Sequence, residues 1–408
     1  MNEENFVIVE ERGNAGLITL NRPKALNALS LGMVRQISAA LLKWRDQANI
    51  QLVAIRGMGK QPEGTATAGA SSQFAPFGSF CAGGDIRFFH QAALAGDPAL
   101  EDFFTEEYSL NHLIHTFPKA YVSFLDGIVM GGGMGIAGHG GANSVRIVTE
   151  RTKMAMPETG IGLFPDVGGG YFLSRCPDSV GEYIALTGEV LTGTQAVVFG
   201  LAGHELDASS LPDLWESLAQ QAFQNPTQVH HHLRDDLIHR MKFGSENDEP
   251  GFQNRMNAFR VADGEMRTQI NAHFSKQSAL EITQSLENDT SEWAQKTAAT
   301  LRKRSPLMLE LTLQLIRRAR KMSLADDLRL ERNLVRHCFH TKHLQRSGAS
   351  SETVEGIRAL AVDKDHAPKW NPACLEDVTP EMVEPFFTSP WPSAAHPLRH
   401  LVGRALEA

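Results

Sequence analysis

The chain has no apolar run of the roughly 18 residues that a membrane-spanning helix needs, so it is not expected to cross a bilayer as a helix. It has only four cysteines among 408 residues, Cys81, Cys176, Cys338 and Cys374. They are scattered, with neither a CxxC pair nor zinc-ligand spacing, which excludes a disulfide scaffold or zinc module and points to free thiols in a reducing compartment. Basic residues are not in excess: the formal net charge is −8, which argues against a general nucleic-acid binder. A local basic patch for an anionic small molecule is still compatible with that total. The opening MNEENFVIVEE is acidic and has neither a signal-peptide core nor an Arg-rich amphipathic presequence. A cytoplasmic protein is therefore expected, although a processed mitochondrial form would look the same. The triplet His230, His231 and His232 does not suggest a metal site. Adjacent side chains point to different sides of any regular element, and a solvated loop is expected there.

What is present is the composition of a globular protein, 42% hydrophobic and 21% charged, with 35 glycines that cluster. Phe6 to Glu10 and Leu17 to Leu20 read as paired strands joined by a turn at Arg12, Gly13 and Asn14. Ser30 is placed to cap a helix with Met33, Ile37, Leu41 and Trp44 on one stripe, and Leu52 to Arg56 is a short buried strand. Residues 59–79 are Gly, Ala, Ser, Thr and Pro without periodicity and are expected as a mobile loop. Asp97 and Pro98 start a helix whose stripe is Phe103, Leu110, Ile114 and Phe117. Glu107 falls on that apolar face, where a carboxylate needs a partner, a task or an escape to water at the stripe edge. Tyr121 to Leu125 and Val145 to Thr149 are strands. Glu182 to Leu186 and Leu191 to Phe199 read as helical, 225–251 as a connector, and Ser305-Pro306 and Leu324 to Phe339 as the starts of further helices. The expected organisation is a β-rich core over residues 1–205 with a mainly helical C-terminal region, 206–408, packed on it.

Two glycine sites carry a chemical signal. CAGGD (Cys81 to Asp85) and the triplet Gly131, Gly132 and Gly133 each lie at the end of a strand and lead toward a helix. Backbone N–H groups at such places are unpaired and point outward, so two of them converging would polarise a carbonyl oxygen. Losing one such donor commonly costs about 3 kcal/mol of transition-state stabilisation. Each site alone is equally a flexible turn. Gly133, Gly135 and Gly138 also spell a literal GxGxxG with Glu150 beyond it, mimicking a dinucleotide fingerprint. HGGANS, the only chain before Val145, is too short and too poor in helix formers for the crossover that reading requires. Two acids follow, Glu158 and Asp166, each after a proline and among glycines. Asp166, ahead of VGGGYFL, is by itself a credible helix N-cap. Together the two can activate water, attack as a nucleophile or protonate a leaving group.

NRPKALNALS, FCAGGDI, GGGMG and MPETGIGLFPDVGGGYFL resemble the motifs of the crotonase (enoyl-CoA hydratase/isomerase) superfamily. GLFPDVGGGYFL is similar to the branch that hydrolyses 3-hydroxyisobutyryl-CoA in valine degradation. With EGIRALAVDKDHAPKWNP the resemblance covers nearly the whole chain. It implies an α/β fold, a crotonase-like spiral of β-β-α repeats, with a helical C-terminal region. It assigns the oxyanion hole to the N–H groups of Gly84 and Gly132, the principal catalytic carboxylate to Glu158 and the second acid to Asp166. It also assigns contact with the acyl part to Glu107, and the CoA path to Lys24, Ala25, Leu26, Ala82, Asp85 and Ile86. Arg22, Lys24 and Arg87 fit the phosphates. CoA arrives with the substrate, so no metal or redox cofactor is implied. Relatives often form homo-oligomers.

Gly135 separates the subfamilies in this resemblance, because hydratases typically place a catalytic glutamate there. A glycine cannot polarise water, and here the second acid stands at Asp166, which favours thioester hydrolysis over hydration. The alternatives are an enoyl-CoA hydratase or isomerase, and a non-catalytic structural member of the fold. The insertion at 59–79, extra residues around 141–144 and the tail to Ala408 depart from the pattern.

Overall fold

The computed structural model describes residues 6–60, 76–221 and 263–403, with 223, 225, 227–229, 231–233 and 237 between them. Most of the loop expected over 59–79 lies outside the described residues, as does most of 225–251.

In chain order the elements up to residue 155 are β1 (Val7–Arg12), β2 (Ala15–Leu20), α1 (Leu31–Asp46), β3 (Leu52–Gly57), α2 (Ile86–Ala95), α3 (Ala99–His115), β4 (Ala120–Leu125), β5 (Ile128–Met130), α4 (Gly132–Ile136), β6 (Ser144–Thr149) and β7 (Lys153–Ala155). Then come α5 (Gly169–Leu173), α6 (Val180–Thr187), α7 (Gly193–Val198), β8 (His204–Leu206) and α8 (Leu211–Gln220). The longest later helices are Pro306–Ala319 and Leu324–Phe339. Contacts divide the chain into two compact units, each assembled from separated stretches. The first is Met1–Gly84, Leu113–Met154 and Val190–Glu265; the second is Asp85–His112, Ala155–Glu189 and Met266–Ala408. These units do not follow the expected division at residue 205.

The first unit is built on a six-stranded sheet of order β1-β2-β3-β4-β6-β8. β1 and β2 are antiparallel, from Val7↔Leu20 to Arg12↔Ala15, which leaves Gly13 (φ 57) and Asn14 as a two-residue hairpin turn. The other neighbours are parallel. β2, β3 and β4 are buried along their whole length, as parallel strands covered on both faces are. The Ser30 hydroxyl accepts the Met33 N–H at 3.3 Å and starts α1, whose Met33, Ile37, Leu41 and Trp44 are all buried. On α8, Leu211, Leu214, Trp215 and Leu218 share a core with Leu17, Ala54 and Phe124. Val229, Leu233 and Leu237 belong to the same core, and 227–229 and 231–233 are helical, so this part of 225–251 is not a plain connector. His231 and His232 accordingly lie on a helix rather than in a solvated loop. Among the described residues no group of His, Cys, Asp or Glu is placed to hold a metal. Between β4 and β6 the only helix is the five-residue α4. The GxGxxG therefore does not open a dinucleotide crossover, which needs a helix of a dozen or so residues.

The second unit is mainly helical. Asp97 accepts the Ala99 N–H at 2.9 Å at the start of α3. Ser305 caps the Met308 N–H at 3.3 Å, with Pro306 in the first turn of the next helix. Both starts are where the sequence signals put them. The apolar stripe of α3 is buried, and Glu107 is buried with it, 2% exposed. Its carboxylate does not escape to water.

Candidate active site

The two glycine turns meet inside the first unit. Cys81 bridges to Val129: the Cys81 N–H donates to the Ile128 carbonyl at 3.0 Å, and the Met130 N–H to the Cys81 carbonyl at 3.0 Å. This strand-like pairing lays CAGGD alongside the start of the GGG turn. Gly133 has to be glycine, because a Cβ there would collide with the Cys81 carbonyl oxygen. A Cβ built on Gly83 (φ +99) would lie 3.5 Å from the Gly132 nitrogen, so the two turns approach at the residues of interest. Among the described residues neither the Gly84 nor the Gly132 N–H donates to another protein group. Gly132 occupies the first position of α4, where an N–H has no partner within the helix.

The NRPKALNALS segment is also tied to CAGGD. The Ala82 N–H donates to the Leu26 carbonyl at 3.0 Å and the Leu29 N–H to the Gly83 carbonyl at 2.8 Å. Lys24 and Ala25 lie in a single 3-10 turn, Pro23–Ala25, followed by Leu26 (φ 52) and Asn27 (φ 57) in the left-handed region. The Asn27 amide holds this bend by donating to the Met58 and Ser79 carbonyls at 3.1 and 2.8 Å. Ala82 is thereby set against Leu26. The Arg22 guanidinium donates to the Ala28 carbonyl at 3.0 Å and lies over the Phe6 ring, so part of its capacity is used structurally. In the second unit, Asp85 caps α2 by accepting the Phe88 N–H at 3.3 Å, Ile86 is its first residue and Arg87 is exposed.

The acids gather inside the second unit. Glu158 opens a 3-10 turn, Glu158–Ile161, and is 6% exposed. Neighbouring segments hold that turn by hydrogen bonds. The Ser305 N–H donates to the Thr159 carbonyl at 3.1 Å, Thr159 Oγ1 to the Leu186 carbonyl at 3.0 Å and Thr353 Oγ1 to the Gly162 carbonyl at 2.7 Å. Glu158 Oε2 is buried without a hydrogen-bond partner among the described residues, and so is Glu107 Oε1. Asp166, 5% exposed, is different: its Oδ2 accepts the Tyr108 hydroxyl at 2.7 Å.

Burial and mutual repulsion set the charge states of these groups. Burial, then the charge of Asp166, raises Glu158 well above the ordinary carboxylate range, and the Arg304 cation only partly opposes this. Burial raises Glu107 as well, followed by repulsion from Asp166 and Glu158. Asp166 is pushed up to about 6 by burial and restrained by the Tyr108 donor. Like charges in a shared low-dielectric site do not all ionise together. Ionisation of Asp166 opposes ionisation of Glu158 and Glu107, so the cluster as a whole retains protons that its members would lose singly. Such a cluster holds both an acceptor and proton donors, the combination that acid–base chemistry uses.

The alternative reading of Asp166, as a helix N-cap, is not met. Gly168 (φ 88) is the N-cap residue of α5 and makes no side-chain cap bond. The N–H groups there go to carboxylates of the helix Leu324–Phe339. Glu331 accepts from Gly168 at 2.7 Å and from Gly170 at 3.0 Å, and Asp327 accepts from Tyr171 at 2.7 Å. This frees the Asp166 carboxyl to turn toward Tyr108. Tyr108, Asp327 and Glu331 were not among the residues picked from the sequence. Tyr108 had one available signal, its position next to Glu107. The other two sit in LADDLRLERNLVRHCF, which reads as a solvated amphipathic helix.

The fold and these two constellations define a class. The enoyl-CoA hydratase/isomerase family profile matches residues 15–387, and the chain belongs to that family. Within it, the chain is 39% identical over 382 residues to the mitochondrial 3-hydroxyisobutyryl-CoA hydrolase of Gallus gallus, covering 93% of this chain and 88% of the relative. It is 37% identical over 392 residues to the Homo sapiens enzyme of that name, covering 94% and 88%. Among solved structures, a carnitinyl-CoA dehydratase from Mycobacterium thermoresistibile superposes with a TM-score of 0.76 at 33% identity, over 95% of this chain and 98% of that one. An enoyl-CoA hydratase from Rhodobacter sphaeroides 2.4.1 gives 0.73 at 30% identity, over 95% and 98%. The family and fold expected from the motifs are borne out.

Proposed function

We propose that the protein hydrolyses the thioester of a short-chain 3-hydroxyacyl-CoA, converting 3-hydroxyisobutyryl-CoA to 3-hydroxyisobutyrate and CoA in valine degradation. The observation that carries this reading is the pairing of acids: Asp166 shares one buried cluster with Glu158, while Gly135 brings no carboxyl to α4. Hydration of a double bond calls for two carboxyls around one water at the β-carbon. Hydrolysis calls for attack at C1, beside the donors that take the carbonyl oxygen. The relatives named as hydrolases support the same choice over 93% of the chain.

In this reading the N–H groups of Gly84 and Gly132 donate to the developing oxyanion. They are worth most there because they are fixed before charge develops. Water adds to C1 as its proton passes to Glu158, which carries the cluster's charge at that moment; direct attack by Glu158 to give an anhydride is the variant of the same step. Collapse of the tetrahedral species breaks the C–S bond, and the departing sulfur takes a proton from the cluster, with Asp166 as the donor. Glu107 contacts the acyl part. Lys24, Ala25, Leu26, Ala82, Asp85 and Ile86 line the CoA path. The chemistry needs neither metal nor redox cofactor. The partner is an acyl-CoA rather than a nucleic acid or a membrane, and no helix among the described residues is long and apolar enough to cross one. None of the four cysteines forms a disulfide, which supports a reducing compartment, the cytoplasm in this reading. A homo-oligomer is in keeping with the family.

A second reading, hydration or isomerisation of an enoyl-CoA, is favoured by the names of the two solved relatives. A screen of short-chain acyl-CoAs, with and without the 3-hydroxyl, separates the readings. Thiol release from 3-hydroxyisobutyryl-CoA supports the hydrolase. Loss of crotonyl-CoA absorbance without free thiol supports the hydratase. No turnover on any acyl-CoA, together with co-purification in a large complex, would make the chain a structural member of the fold.

A further inference from the structure

Asp327 and Glu331 lie four residues apart on the helix Leu324–Phe339 and therefore on one face of it. Both are fully buried, yet among the described residues neither is paired with a cation in the manner of Glu182, which meets Arg320 and Arg317. Three of their four oxygens go to backbone, and Asp327 Oδ1 has no hydrogen-bond partner among the described residues. Glu331 Oε2 takes the Gly168 N–H, its Oε1 the Gly170 N–H, and Asp327 Oδ2 the Tyr171 N–H. These three amides follow Asp166 almost directly. The residue between, Val167, is held at φ 56, a left-handed conformation that a β-branched side chain rarely adopts. The Gly169 N–H closes the turn on the Asp166 carbonyl at 2.7 Å. Strained backbone persists only where its surroundings over-determine it, and it concentrates at functional sites. Burying two carboxylates to fix one turn is a costly solution if stability alone is at stake, since apolar packing of similar volume often does as well.

We propose that Asp327 and Glu331 are positioning residues for the hydrolytic reaction: by holding the N–H groups of Gly168, Gly170 and Tyr171 they fix the turn that aims the Asp166 carboxyl at Tyr108. The proposal rests on the reading of Asp166 as an acid of the reaction. The pair touches backbone, not substrate, and acts only through that turn. Asp166 is faced by Glu107 and Tyr108 from α3, by Glu158, and by Glu331 and Cys338 from the helix Leu324–Phe339. A shift of the turn changes all of these separations together.

The test is thiol release from 3-hydroxyisobutyryl-CoA by the full chain, measured as kcat and KM across pH for wild type, Glu331→Gln, Asp166→Asn and the double variant. Leu334→Ala, a cavity in the same helix, serves as the stability control. In Glu331→Gln an NH2 group meets a backbone N–H, so the turn must move. The expected result is a loss of about tenfold or more in kcat with KM within about twofold, a displaced pH inflection, and no further loss when Glu331→Gln is added to Asp166→Asn, since residues acting as a unit are non-additive. Leu334→Ala should lower the melting temperature and leave kcat and the pH profile of the folded enzyme unchanged. Should Glu331→Gln fail to fold, Asp327→Asn is read in the same cycle. The proposal is overturned if the folded variant keeps the wild-type kcat and profile, or if its loss is the same with and without Asp166. Absence of thiol release from wild type would instead overturn the hydrolase reading, which the parallel measurement identifies separately.

Discussion

The Tyr108 hydroxyl donates to Asp166 Oδ2 at 2.7 Å, linking α3 to an acid 58 residues further along the chain. Among the described residues it is the one side-chain donor on a carboxyl whose ionisation burial opposes. A hydrogen bond to a charged group contributes on the order of 1.5–3 kcal/mol, and about 1.4 kcal/mol corresponds to one pH unit. Tyr108→Phe should therefore move the inflection near pH 6 in kcat/KM upward by about one to two units, with KM little changed. An inflection left in place would mean that the hydroxyl does not govern the ionisation that matters.

Asp166 also makes stability depend on pH in a definite direction. Its carboxyl is raised from 3.8 to about 6 in the folded protein. Its contribution is therefore fully present below the unfolded value and is lost as pH rises through about 6. Asp166→Asn removes that loss. Relative to wild type the variant should gain stability between pH 4 and 7, by an amount on the order of 3 kcal/mol if the whole displacement is relieved. Relief of Glu158 and Glu107 from the Asp166 charge acts in the same sense. Urea denaturation at the two pH values measures the difference, and a difference that does not change with pH contradicts the assigned ionisation.

Much of this arrangement was legible in the sequence because its signals are local. Ser30, Asp97 and Ser305 cap where their spacing to the following apolar stripe says they do, and Leu324–Phe339 has the bounds its periodicity suggests. Glu107 stood out because a carboxylate on an apolar stripe is anomalous within a single helix. Taken alone, Asp166 also looked like a cap for the same reason: local spacing favours it, and the groups that take those amides, Asp327 and Glu331, arrive from about 160 residues away. Tyr108 is equally invisible, since an aromatic on a buried stripe looks like core until its hydroxyl partner is known. Val229, Leu233 and Leu237 were lost among polar neighbours that gave the stretch the composition of a connector.

The close approach at Gly133 gives a prediction about the donor site. A methyl group there meets the Cys81 carbonyl oxygen, and the facing atoms are backbone that cannot swing away. Gly133→Ala should destabilise the protein by about 1–3 kcal/mol, the usual cost of overpacking. In the fraction that remains folded it should lower kcat more than it raises KM, because the shifted turn carries the Gly132 amide. A variant with normal kcat would remove Gly132 from the oxyanion site.

The central claim is that a buried pair of acids, with Glu158 as the principal group, cleaves a 3-hydroxyacyl thioester. Single-turnover thiol release from 3-hydroxyisobutyryl-CoA, compared between wild type and Glu158→Gln, tests it most directly. The amide is nearly isosteric but cannot take a proton from water, so the account predicts rapid release by wild type. For the variant it predicts a fall of about a hundredfold or more, as expected for loss of a general base, with CoA binding retained. Equal release by both proteins, or none by wild type, would contradict it.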